Sequence, residues 1–187
     1  MNGRSITVAG ATVPGGVNIV STVTRVAQAE PTLFRLNPGA TVTQAINAAG
    51  RHNGDPNYLR PYGAIVFDAN ANRGTSSVQT TLAPGRYVAL NTESNNPQRW
   101  PRVNFTVSRN PAPTSLPRPN ATVAAIDFNF RSPSTLRTGQ LTRFENDGFV
   151  VHMVVGLEVY VLACFMNSQD GREHTQLGLV RMIRVVG

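Results

Sequence analysis

Apolar and polar residues alternate along most of this chain, and the alternation breaks at glycines and prolines rather than at helical intervals. Residues 5–26 alternate through Ile6, Val8, Val17, Ile19 and Val23 and are interrupted at Pro14-Gly15-Gly16, which predicts two strands and a turn. Pro38-Gly39 predicts a second turn. Thr41 or Thr43 can then cap a short helix carried by Val42, Ala45, Ile46 and Ala49 and stopped by Gly50. Residues 51–61 read as loop, and strands are predicted over 64–67, 77–82, 86–90 and 103–107. With one short helix among many strands, the expected fold class is all-β, built as antiparallel β-sandwiches.

Residues 108–120 change the picture. Four prolines in this span favour an extended backbone and remove ladder donors, so the segment is expected to be a linker outside any sheet. It divides the chain into domains over 1–107 and 121–187. The pattern starts again beyond it, with strand-like residues at 160–165 and 179–186 separated by a polar loop that turns at Asp170-Gly171.

Composition narrows the function. Of the 187 residues, 41% are hydrophobic and 14% charged, as in a folded domain rather than a disordered one. All 17 basic residues are arginines, and they give a net charge of +7. They are scattered, without a run or a nucleic-acid reader motif, so a diffuse solvated surface is expected and no nucleic-acid partner. No apolar run approaches the roughly 18–20 residues that cross a bilayer as a helix, and Met1 leads directly into strand-like sequence without a signal peptide. A single cysteine excludes an internal disulfide.

That cysteine, Cys164, closes a strand, and His174 lies in the loop before the next one. His152 lies upstream of both, in Asn-Asp-Gly-Phe-Val-Val-His. Two imidazoles and a thiolate form the in-plane ligand set of a blue-copper site, usually completed by a weak axial thioether. The plainer reading of each residue stands beside this. A cysteine ending an apolar strand is often a small buried hydrophobe, and a histidine after Arg-Glu is often solvated. His52 has no partner of this kind and reads as surface.

The second half resembles the secreted bacterial cupredoxin-like domains in Asn146, Gly148, His152, Tyr160, Leu162, Cys164, Phe165, His174, Gly178 and Val180, with Leu179 where that family has methionine. The resemblance implies a Greek-key sandwich, export from the cell (secreted, cell-surface or periplasmic), and copper held by His152, Cys164 and His174. The axial place is then empty, filled by Leu179, or taken by Met182 as a weak donor. Residues 5–107 resemble the same fold more distantly, so the chain reads as an internal duplication with Tyr87 matching Tyr160. In that register Thr32 and Asn91 stand where the first histidine and the cysteine would be, and the first domain is expected to bind no copper. The second is also short of middle strands. Either a segment near Gly156-Leu157 is missing from the chain, or a neighbouring molecule or the first domain completes the sheet.

Other chemistries are excluded more simply. Three histidines without a His-x-His pair cannot build a multicopper oxidase centre. Cys164 and His174 come with no signal for an orienting acid or an oxyanion loop, and no glycine-rich phosphate loop is present. The residues therefore predict no catalytic centre. The expectation is a structural or assembly role, with self-association or other secreted proteins as partners. The alternative is a mononuclear copper protein for electron transfer, which would add a redox partner.

Overall fold

The computed structural model describes residues 5–10, 12–109, 112–157, 161–164, 166 and 172–187. Among the described residues the chain is mostly strand, with one α-helix and several antiparallel sheets. It divides into two compact units, Met1–Leu116 and Pro117–Gly187.

In the first unit the elements run β1 (Gly15–Ala29), β2 (Pro31–Leu36), α1 (Val42–Arg51), β3 (Gly63–Asp68), β4 (Ala71–Leu82), β5 (Gly85–Asn91) and β6 (Arg102–Val107). β1 and β4 form a long antiparallel ribbon, and the remaining strands make an antiparallel sheet in the order β3-β2-β5-β6. Successive side chains on a strand point to opposite faces. Phe34, Leu36, Val88 and Leu90 accordingly pack with Ala45 and Ile46 of the helix. The alternate set, Leu33, Tyr87 and Phe105, packs instead with Leu82 and Val17 of the ribbon. The Tyr87 hydroxyl donates to the Ala83 carbonyl at 2.8 Å, which closes the turn into β5.

Several boundaries differ from the sequence reading. Among the described residues before Gly15 no strand forms, and the first strand is a single long one. β4 begins at Ala71 rather than at Ser77. Its early residues are exposed and polar on both faces of the ribbon, so they carry no alternation to detect. Thr41, not Thr43, caps the helix, in a capping box with Gln44. The helix passes through Gly50 and ends at Arg51. The proline-rich segment is not free of pairing. Thr114 bridges to Gly15, accepts from the Gly16 N–H at 2.6 Å and donates its hydroxyl to the Gly16 carbonyl at 2.8 Å. A Cβ on Gly15 would lie 2.6 Å from the Thr114 backbone, and its φ of +108° also favours glycine.

The second unit continues with β7 (Ala121–Ile126), β8 (Asn129–Arg131), β9 (Thr135–Arg137), β10 (Thr142–Asn146), β11 (Val155–Leu157), β12 (Val161–Ala163), β13 (Val180–Met182) and β14 (Arg184–Val186). They form three small sheets, β10-β7-β8, β11-β12-β13 and β14-β9. Two of the pairings, β7 with β10 and β9 with β14, are parallel, which simple alternation does not announce. Val123, Ala125, Phe130, Leu162, Leu179 and Ile183 make the core. The Arg181 guanidinium ties β13 to the end of β8 by donating to the carbonyls of Phe130 and Ser132 at 3.3 and 3.0 Å. Gly156 and Leu157 lie within β11, which pairs antiparallel with β12. Tyr160, Phe165 and the turn at Asp170-Gly171 lie outside the described residues.

Candidate metal centre

The site forms where the ends of β10 and β12 meet the segment before β13. After β10 the chain turns tightly: the Asn146 side chain accepts from the Gly148 N–H at 3.0 Å and donates to the Val150 carbonyl at 2.9 Å. The two-residue turn between β7 and β8 holds this loop from the other side. There Asp127 adopts a positive φ of 45°, and its carboxylate accepts from the Phe149 N–H at 2.7 Å. The chain then runs extended and places His152 against the core. Gly148 is needed for this approach, since a Cβ there would sit 2.8 Å from His152 Nε2 and 2.5 Å from the Asp127 nitrogen.

Cys164 follows β12 and is fully buried, as is His174. Backbone hydrogen bonds fix their relative positions. His174 N–H donates to the Met166 carbonyl at 2.8 Å, Thr175 N–H to the Cys164 carbonyl at 3.1 Å, and Cys164 N–H to the Leu179 carbonyl at 3.3 Å. Leu179 N–H in turn donates to the His174 carbonyl at 2.9 Å. The ligand-competent atoms of His152, Cys164 and His174 consequently lie within 4.8 Å of one another. Cys164 Sγ is 3.5 Å from His174 Nδ1, and the two imidazoles meet edge to face at 5.2 Å. Donors in a plane around an ion with bonds of about 2.0–2.3 Å stand roughly 3.5–4 Å apart, so this group could hold a metal with only small adjustment.

The electrostatics favour the form a metal requires at His152 and oppose it at Cys164. Burial, helped by the neighbouring His174 and opposed by Asp127, lowers the His152 pKa to about 4, so its imidazole is neutral at ordinary pH. Burial pushes the Cys164 thiol up, against backbone hydrogen bonds from Met166 and Met153 that favour the thiolate. The bond from the Met153 N–H to Sγ measures 3.3 Å. Most informative is His152 itself: both ring nitrogens are buried and neither has a hydrogen-bond partner among the described residues. Such a group costs about 1–3 kcal/mol of desolvation, which a bound cation would offset.

The structure thus brings together the three residues singled out as in-plane ligands. Met182 it does not: its side chain is 77% exposed on β13, away from the buried core that holds Cys164. Leu179 is fully buried in that core, with Met166 packed against it. His52 stacks on Tyr58 at 3.6 Å in the first unit. Sequence reasoning missed Asp127, Met153 and Phe128, whose ring meets His174 edge-on at 5.6 Å. Two of these act through the backbone or a turn, and neither role has a residue-type signature.

No family model, curated protein or solved structure matches this chain.

Proposed function

We propose that the second unit is a mononuclear copper site of the trigonal His2Cys type and that the protein transfers single electrons through it. The observation that carries this reading is the buried, unpartnered His152 ring facing a thiol and a second imidazole. The donor set fits copper: imidazole and thiolate together suit it, whereas a structural zinc site asks for four protein donors. His152, Cys164 and His174 would hold the ion, with His174 Nδ1 already 3.5 Å from Cys164 Sγ. When bound, copper supplies a one-electron couple. The chain's own part is to hold three donors in fixed positions, keep water from the fully buried Cys164 and His174, and present the thiolate to two backbone N–H groups.

The test is titration of the metal-free protein with Cu(II). An intense visible thiolate-to-copper band should grow to one equivalent and be absent from Cys164→Ser. A protein that shows no such band, or whose band survives that substitution, does not have this site.

A further inference from the structure

The first unit carries an open cleft of about 460 Å³ between the last turn of α1 and residues 95–98. Asn47, Gly50 and Arg51 line it from the helix, and Asn95, Asn96 and Gln98 from the facing loop. We infer that this cleft is a binding site for a neutral saccharide, separate from the copper reading. Gly50 is the observation that points to an occupant. Its backbone is helical, so no positive φ requires a glycine there. Packing does not require one either, because a Cβ would meet only Gln98 Nε2, at an ordinary contact distance of 3.7 Å. Alanine is the better helix former at such a position. What the glycine supplies is room: the absent Cβ would project into the cleft beside Gln98, so a bound molecule can reach the helix backbone.

The walls are set in advance. Gln98 Nε2 donates to Asn47 Oδ1 at 3.0 Å and ties the loop to the helix. Asn96 Oδ1 accepts from the Gln98 N–H at 3.1 Å, and the Asn96 N–H donates to Ser94 Oγ at 3.2 Å. Trp100 Nε1 anchors the same loop by donating to the Ser94 carbonyl at 2.6 Å. These bonds use one group of each amide. The other group of Asn47, Asn96 and Gln98, the Asn95 amide and the Arg51 guanidinium have no partner among the described residues. Small-molecule sites of this size are mostly apolar, so a lining of amides and a guanidinium selects an unusually polar ligand. An amide offers donors and an acceptor together, as a sugar hydroxyl does. An anion is disfavoured, because the carbonyl end of α1 borders the cleft and its negative potential offsets Arg51. A cation finds no carboxylate among the lining residues.

The experiment is calorimetric titration of the whole chain with glucose, mannose, galactose, N-acetylglucosamine, maltose, cellobiose and chitobiose, with inorganic sulfate as the anionic control. At least one sugar should bind saturably at a single site. Tighter binding of a disaccharide than of its monosaccharide supports a glycan chain as the source, and equal binding supports a free sugar. Gly50→Ala should weaken binding about tenfold or more while raising the melting temperature of the first unit, because the methyl group fills the cleft and favours the helix. Asn95→Ala breaks no side-chain bond among the described residues, and should weaken binding roughly threefold at an unchanged melting temperature. If no sugar in the panel binds, if only sulfate binds, or if Gly50→Ala binds the sugar as wild type does, the inference is overturned. A Gly50→Ala chain that melts below wild type also overturns it, since the fold itself then requires the glycine.

Discussion

The two units each bury a small polar cluster at a strand end, and they close it in opposite ways. In the first, Thr32 and Asn91 are buried, yet each is satisfied from within the protein. Thr32 donates to Asp68 at 2.6 Å and lies 2.8 Å from the Thr92 hydroxyl, and the Asn91 side chain accepts from the Glu30 N–H at 2.9 Å. In the second, His152, Cys164 and His174 converge, but both nitrogens of His152 have no hydrogen-bond partner among the described residues. Buried polar groups are normally paired. A closed cluster is explained by stability alone, whereas one with an orphaned ring and two further donors beside it could hold a metal.

The comparison breaks first on metal. Copper binding only the folded protein should stabilise the second unit by about 2.7 kcal/mol when free metal stands a hundredfold above its dissociation constant. The thermal transition of the second unit, followed by scanning calorimetry with and without copper, should shift upward accordingly. Unfolding of the first unit should not shift, as read by the fluorescence of Trp100, the chain's one tryptophan. A shift of equal size in Cys164→Ser would mean that the metal binds elsewhere.

Removing the polar groups one at a time should give opposite signs. Thr32→Val takes the hydroxyl donor from the Asp68 carboxylate, while the Thr92 hydroxyl keeps its bond to the Glu30 carbonyl, and should destabilise the first unit by about 1–3 kcal/mol. His152→Leu removes a group with no partner to strand, so the metal-free second unit should keep or gain stability while copper binding is lost. Denaturant unfolding of both variants without metal decides it. If His152→Leu costs as much as Thr32→Val, the ring has partners in solution and the contrast disappears.

A smaller effect concerns the support of the ring. Gly148→Ala places a Cβ 2.8 Å from His152 Nε2 and closer still to the Asp127 backbone, so ring and turn must separate. Copper affinity should fall about 10–100-fold, the range for groups that orient a ligand. Competition against a chelator of known affinity measures it, and an unchanged affinity would show that Gly148 does not position His152.

How much of this is legible in the sequence follows from what each feature depends on. The strands β2, β3, β5 and β6 and the helix announce themselves because each has one buried face, as in Phe34, Leu36, Val88 and Leu90. β4 is partly silent because its early residues are exposed on both sides. The candidate trio is visible by residue type, since one cysteine and three histidines leave few combinations. Its geometry is not, because backbone bonds such as His174 to Met166 and Cys164 to Leu179 place it, and any residue can make those. The Thr114 clasp on Gly15 and Gly16 is hidden for the same reason, and prolines nearby point away from it.

The smallest expected effect lies in the closed cluster and concerns its two acids. Burial pushes the Glu30 carboxyl up, the Asp68 charge adds to that, and the Thr92 hydroxyl opposes it. Asp68 is raised by burial too, with Thr32 holding it back. A carboxyl raised on folding favours the protonated native state. Its contribution is fully present below the unfolded values of about 4 and is lost as pH rises through the higher native ones. The first unit should therefore weaken as pH climbs out of the acid range, although cluster groups such as Asn91 are uncharged and stay paired. Because Asp68 reaches solvent, the loss is on the scale of exposed charge pairs, about 0.2–1 kcal/mol. Glu30→Gln removes one of the two charges while the Glu30 backbone bonds to Asn91 and Thr92 remain. It should raise stability at neutral pH and flatten the slope, as followed by Trp100 fluorescence in denaturant at a series of pH values. A variant whose stability keeps the full wild-type dependence on pH would show that these two carboxyls do not face one another as charges, and the first cluster would then be closed by its hydroxyls and amide alone.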